Sequence, residues 1–345
     1  MRNWRGAALL VALLSRPAFP GGTGGEAMPF LKIDAGARAA ALGGSYCASG
    51  DDALSVFYNP AGSSMAMRKE AAFSHSEWLQ GIRHEVLAYV QPLSRTATVF
   101  SGANLLLSGE MDQLNAAGVR TGTFDSRDAV FLSGISGSLG RGIYGGAAVK
   151  ALYQKADAES AYSWAGDLGL LMLHGKYRYG LSAANIGGKL ELGSTSFDVP
   201  LILRAGAARL IREQFWVMAD VVKNGAGDAT LGTGAEAEFE LNREESFFIR
   251  AGYRNGRSAN AGSGFSCGGG LHNKDLRLDY AFSPYGDLGT THRFTLSFTF
   301  GKKRSEFPLK AYSSDYMVPD KDVPLSKRKE KAEEKRKNTL REFSW

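Results

Sequence analysis

The chain runs to 345 residues with 44% hydrophobic content and a formal net charge of +6, long enough for one large or two ordinary domains. Residues 302–345 carry 13 Lys/Arg against 8 Asp/Glu, a net of +5, so the body is close to neutral. A near-neutral body lacks the basic footprint of nucleic-acid binding, and no window approaches the ~18 consecutive apolar residues of a membrane helix.

The first residues, MRNWRGAALLVALLSRPAFPGG, set Arg2 and Arg5 ahead of a short apolar run, Gly6 to Leu14. The small-x-small triplet Gly25-Glu26-Ala27 follows, so residues 1–27 are expected to be a secretory signal with an apolar run too short to span. A buried N-terminal helix is the less favoured alternative.

Next comes residues 28–68, which contain DDALSVFYNPAG, Asp51 to Gly62. This stretch is too polar at its ends for a buried strand, and Pro60 stops any helix. Asn59 is expected to bond its own backbone, Pro60 to fix φ, and Gly62 to allow a left-handed turn. Asp51 and Asp52 are expected to cap a short helix running into Val56 and Phe57. Those two apolar residues either pack this segment on its surroundings or touch a hydrophobic ligand, and packing is favoured. Cys47 and Cys267 are the only cysteines and read as small buried residues, with a disulfide the lesser option.

From about residue 71 to 300 the pattern has period two, the period of a strand. Phe294, Leu296, Phe298 and Phe300 alternate with Arg293, Thr295, Ser297 and Thr299. Elsewhere Ala235, Ala237 and Phe239 alternate with Glu236, Glu238 and Glu240, and Leu276, Leu278 and Tyr280 with Arg277 and Asp279. About fourteen such segments follow one another, near 70–78, 84–92, 97–108, 127–139, 142–154, 163–173, 176–185, 201–210, 214–222, 231–241, 247–255, 262–271, 275–282 and 291–300. A soluble sandwich has strands of about 5–6 residues, whereas an outer-membrane barrel needs about 9–11. Segment length, an even count and the signal favour an all-β transmembrane outer-membrane barrel over residues 69–300. Closure matters because an open edge in lipid leaves N–H and C=O groups without partners.

Glycine, at 43 residues, then serves tight turns, bends and close approach of a plug to the wall. Tyr89, Tyr153, Tyr253, Tyr280 and Phe300 stand at segment ends and suit interfacial girdles. Glu236, Glu238, Glu240, Arg250, Arg277, Asp279 and Arg293 are expected to face the lumen. They either line a polar path or pair with one another, and pairing is favoured. Fourteen strands enclose more than side chains fill, so residues 28–68 are expected to form an N-terminal plug.

The stretch FLKIDAGARAAALGGSYCASGDDALSVFYNPAG, residues 30–62, resembles the N-terminal signature of the PorV/PorQ family, within the FadL-like outer-membrane barrels. The elements that carry the likeness are Ala37-Arg38-Ala39-Ala40, Gly43-Gly44, Asp51-Asp52 and Asn59-Pro60-Ala61-Gly62. Further segments resemble family strands in order, among them GGAAVKALYQK, SAANIGG, PLILRAGAA, FIRAGYR and LDYAFSPYGDLGTTHRFTLSF. The resemblance implies a fourteen-stranded barrel with an N-terminal plug, both chain ends in the periplasm, and no catalysis. The plug motif would be Asp51, Asp52, Asn59, Pro60, Ala61 and Gly62.

Two spellings that suggest enzymes are set aside. Gly140-Arg-Gly-Ile-Tyr-Gly145 is followed by a strand pattern rather than a helix, and Gly264-Phe-Ser-Cys-Gly268 has no strand-to-helix transition. The five histidines show no metal-ligand spacing, so no catalytic residue, metal or cofactor is expected. Residues 301–345 form a basic tail read as periplasmic and either helical or disordered; its SKRKEKAEEKRKNTLREFSW mixes eight basic with four acidic residues. The chain is expected to be a non-enzymatic barrel in outer-membrane lipid of a diderm bacterium that binds or passes a hydrophobic ligand. An adaptor in type IX secretion, meeting secretion machinery or a secreted protein, is the alternative, and a structural envelope protein a third.

Overall fold

The computed structural model describes residues 25–304, apart from 158, 194, 226, 243, 258 and 302. Most of the expected signal and the tail beyond Arg304 lie outside the described residues.

Period two becomes a wall with two chemistries. On β16 (Thr290–Phe300), Phe294, Leu296 and Phe298 are 46–49% exposed while Arg293, Thr295 and Ser297 are 3–6% exposed. The apolar face therefore points outward and the polar face inward, the reverse of a soluble protein and the pattern of a barrel in lipid. Its partners in chain order are β1 (Lys69–Glu77), β2 (Arg83–Pro92), β3 (Ala97–Leu114), β4 (Arg120–Gly140), β5 (Ile143–Ala156), β6 (Glu159–His174) and β7 (Tyr177–Ile186). After a small hairpin, β8 (Lys189–Leu192) and β9 (Thr195–Asp198), come β10 (Ile202–Arg212), β11 (Phe215–Asn224), β12 (Ala229–Glu240), β13 (Glu245–Arg254), β14 (Phe265–Asn273) and β15 (Leu276–Pro284).

Fourteen of these strands, all but β8 and β9, form one closed antiparallel barrel. β1 closes it on β16 in continuous register from Lys69↔Phe300 to Glu77↔His292, so no wall strand has an open edge in the apolar zone. Every one of the fourteen expected segments is a wall strand. Connections at the end where β1 begins and β16 finishes are two to four residues long. At the opposite end they are mostly longer, and the β7–β10 connection contains the β8–β9 hairpin. The glycine-rich spelling at 140–145 is one of the tight turns, with Arg141 and Gly142 both at positive φ. Aromatic pairs sit near both ends of the wall. Tyr89–Phe300 and Phe239–Phe247 lie toward the short-turn end, Tyr153–Tyr162 toward the long-loop end.

Two features differ from the sequence reading. β3 and β4 run well past their expected bounds and form an arm beyond the rim. There residues 110–114 and 120–124 pair only with each other, since β2 pairs with β3 only up to Leu107 and β5 with β4 only from Ser126. With no core on either face, the arm shows no hydrophobic alternation to read. The β8–β9 hairpin was missed because each strand has only four residues.

Residues 25–68 lie inside the barrel. Leu42, Tyr46, Val56 and Tyr58 form a core with the inward Val86, Val90, Phe100 and Leu132 of the wall. A second cluster joins Met28 and Phe30 to Leu190 and Val199 of the hairpin and to Leu152 of β5. The segment begins at the long-loop end, where the Ala27 N–H donates to Asp198 O of β9. It finishes at the opposite end, where β1 starts. The described chain thus traverses the lumen from rim to rim, and Glu26 and Phe300 lie at opposite ends, because β9 offers Ala27 a free edge to pair with.

Candidate functional site: the plug and the wall that holds it

The charged grip centres on Arg38. It lies in α1 (Ala37–Ala41), whose alanines allow close approach to β13–β16, and the Ala37 N–H donates to Thr295 Oγ1 at 2.8 Å. Arg38 Nε and Nη2 donate to the two oxygens of Glu236 on β12, each at 2.7 Å, a bidentate fork. Its Nη1 donates to Asp51 at 2.6 Å. Glu236 also accepts from Arg250 Nε at 2.6 Å, Arg250 reaches Asp279 at 2.8 Å, and Arg277 lies 2.8 Å from Asp279. A chain of alternating charge, Asp51–Arg38–Glu236–Arg250–Asp279–Arg277, therefore crosses from plug to wall. Buried charges persist only when paired and hydrogen-bonded, so each member depends on the next. Nearer the long-loop end Arg254 Nη2 donates to both oxygens of Asp34 at 2.7 and 2.8 Å. Burial alone would push the Asp34 carboxyl up, but the Arg254 charge and hydrogen bond hold it below the usual carboxylate range.

The expected caps do not form. Asp52 occupies the cap position of the 3₁₀ turn Ala53–Phe57, yet its side chain makes no bond to that backbone. It accepts instead from the Tyr46 hydroxyl and lies 3.4 Å from Arg38, while Asp51 takes Arg38 and Arg178 of β7. A charge-assisted bond in a buried site outcompetes a neutral N–H. Val56 is wholly buried and Phe57 is packed against the core.

Asn59 bonds as expected and further. Its Oδ1 accepts from the Ala61 N–H at 3.1 Å, while Nδ2 donates to Cys47 O at 2.8 Å and to Leu170 O of β6 at 2.9 Å. One amide thus closes the turn, ties two parts of the plug and reaches the wall. Pro60 opens the 3₁₀ turn Pro60–Met65. Gly62, contrary to expectation, does not adopt positive φ. A Cβ there would stand 2.7 Å from Gly50 O, so the residue is small for space and not for handedness. The wall answers with glycines of its own. A Cβ on Gly169 would lie 2.1 Å from Asn59 Oδ1, and one on Gly146 2.5 Å from Ala61 N. Ser182 Oγ donates to Tyr58 O at 2.6 Å, and Ser63 and Ser136 hydroxyls meet at 2.7 Å.

Of the expected lumen residues, Glu236, Arg250, Arg277 and Asp279 come together in the network above. Glu238 and Glu240 sit toward the short-turn end of β12, outside it. Arg293 is 4% exposed and lies over the Trp78 ring at 5.8 Å, with no salt bridge among the described residues. Sequence reasoning missed Asp34–Arg254 and the buried Lys150–Asp167 pair, 2.8 Å apart. Lys150 also donates to Asn185, which has positive φ where the β6–β7 register shifts. Arg38 itself was legible as a lone charge in a run of alanines. Both cysteines are free, and burial pushes the Cys47 thiol up. Among the described residues no cluster of metal-ligating side chains forms.

A cavity of about 20 Å³, room for about one water, remains between Leu31, Ile33 and Phe57 on one side and Ile202, Lys150 and Arg204 on the other. On the wall's outer face a depression of about 820 Å³ is rimmed by Ile135, Leu168, Leu170 and Leu181 and borders Leu203 to Ala205 of β10.

The fold is similar to that of solved transport barrels, a FadL homologue among them. The toluene transporter TbuX of Ralstonia pickettii superposes with a TM-score of 0.54 at 14% identity, over 77% of this chain and 98% of that one. For the monoaromatic hydrocarbon channel CymD the values are 0.56, 14%, 78% and 98%. A FadL homologue of Pseudomonas aeruginosa gives 0.55, 10%, 77% and 98%. At such identities the likeness is one of fold. A sequence model described as an uncharacterised protein family, UPF0164, matches residues 19–175. No curated protein matches the sequence.

Proposed function

We propose that this chain is a non-enzymatic outer-membrane barrel that binds or passes hydrophobic small molecules. The observation that carries the reading is a closed fourteen-strand FadL-like barrel whose lumen is occupied by its own N-terminal segment. Structures of the same fold are a toluene transporter and a monoaromatic hydrocarbon channel. The short-turn end faces the periplasm in this reading, because barrels of this type keep short turns there and longer loops outside. The first residues of the plug then lie under the outer loops. Uptake of labelled toluene and of a long-chain fatty acid is the test, comparing a deletion strain with the complemented one. Slower uptake of at least one in the deletion strain supports the reading; unchanged uptake of every hydrophobic solute tried overturns it.

A second reading, a PorV-like adaptor for secreted proteins, draws support from the β3–β4 arm. Its two edges are unpaired above the rim, and an unpaired edge is a template for an added strand. Removing residues 109–124 should abolish client capture and leave solute uptake intact if this reading holds.

A further inference from the structure

The chain does not simply leave the barrel after β16. Gly301, at φ 79°, turns it inward, and the Arg304 N–H donates to Met67 O, the last stretch of the plug before β1. The Arg304 side chain is buried, 8% exposed, and every nitrogen of its guanidinium is engaged. Nε donates to Ser94 O in the β2–β3 turn at 2.6 Å, and Nη1 to Ser64 O of the plug at 3.2 Å. Nη2 donates to Ala97 O and Thr98 Oγ1 of β3, both at 2.6 Å. Barrel order runs β16–β1–β2–β3, so the segment after β16 passes beneath two strands and the plug's exit to reach the third.

The same joint is closed from the other side. Arg68, the residue after Met67, donates through Nε to Gly301 O at 3.2 Å and pairs through Nη1 with Asp275 in the β14–β15 turn. Plug exit and post-barrel segment therefore interlock around two arginines, one supplied by each. Arg304 donates to backbone carbonyls and one hydroxyl, drawn from plug, turn and wall at once. A guanidinium is suited to this because its five donors lie in a rigid plane and reach several fixed acceptors together.

We infer that Arg304 is a latch that locks the plug's exit to the wall. The last four plug residues, Ser64 to Met67, are held at the short-turn end by it. The inference concerns how the plug is held, and stands whether the barrel passes hydrocarbons or serves another role.

Purified full-length protein in lipid nanodiscs tests it, with hydrogen exchange read at residues 60–67 and heat-modifiable migration confirming a folded barrel. Removing a charged donor of this kind should speed exchange there roughly 10- to 100-fold in Arg304→Ala. Arg304→Lys, which keeps the charge but not the fork, should fall between the two. Deleting 302–345 should match Arg304→Ala, whereas deleting only 305–345 should leave exchange as in the intact chain. In vesicles, Arg304→Ala should raise influx of a small hydrophilic dye. Unchanged exchange at 60–67 in a folded Arg304→Ala barrel overturns the inference. So does an equal loss of protection on deleting 305–345, which would move the lock off Arg304. Neither outcome bears on hydrocarbon uptake, so a failure here is separable from a failure of the transport reading.

Discussion

Strands β12–β16 meet the plug through charge, with Glu236 on Arg38 and Arg254 on Asp34, and also through Gly232, Gly234 and Gly252, which admit the backbone of Leu42 and Gly43. Strands β4–β7 meet it mostly through neutral groups at very short range, with Gly146 and Gly169 admitting the plug's backbone and Ser136, Leu170 O and Ser182 bonding it. Long ionic side chains bridge a gap whose width is adjustable, but they tolerate no loss of a partner. Glycine walls require no charge balance, but they tolerate no added volume. The first side is therefore sensitive to both charge and size, the second mainly to size. Arg178, reaching Asp51 from β7, is the charged exception on the neutral side.

The largest effect should come from the charged side. Arg38→Ala leaves Glu236 and Asp51 buried with one partner fewer, a loss of about 3–5 kcal/mol. Denaturant unfolding of the plug, followed by protease protection at 34–60, should show it, with Arg38→Met equally poor despite its bulk. If Arg38→Met restored most of the loss, packing rather than charge would hold this side. On the neutral side, Gly169→Leu forces a side chain onto Asn59 and should cost about 1–3 kcal/mol. Exchange should rise locally at 58–64 while the Arg38 contacts remain; loss of protection throughout the plug would mean that the two sides are not separate. Asn59→Ala removes bonds to Cys47 O and Leu170 O, about 1–3 kcal/mol.

The smallest effect is on pH. Because the folded Asp34 carboxyl is held below its ordinary range, its contribution is fully present above the unfolded carboxylate value of about 3.9. It is lost only as pH falls through the depressed folded value. Plug protection near Asp34 should thus be unchanged between pH 7 and 5 and weaken only in stronger acid. Weakening already at pH 5–6 would show that the Arg254 pair does not hold the carboxyl down.

The wall was legible because its rule is local. In Phe294-Thr295-Leu296-Ser297-Phe298 each residue announces its face by its own chemistry, and lipid outside enforces the alternation. The plug was legible as a position in the chain and as an Asn-Pro turn, since Asn59 and Pro60 act through their own backbone. The partners of Asp51 and Asp52 were not. A cap is a local bond, but the nearest strong donor in the folded chain is Arg38, with Arg178 arriving from 127 residues away. Gly62 is a similar case: turn chemistry explains a glycine by handedness, while here the reason is the neighbouring Gly50 carbonyl.

By itself, the amino-acid order determined the class of the molecule: a period-two wall of fourteen segments, apolar outward, preceded by a polar insert and followed by a basic tail. Only the tertiary structure decided how the plug is seated, that it runs from rim to rim, and that Arg304 returns beneath it. The physical reason is range. Strand alternation is fixed by solvent on either face of each residue, whereas a buried charge or a missing Cβ has meaning only through the atom it meets. Those atoms are up to 240 residues distant in sequence, as Ser64 is from Arg304.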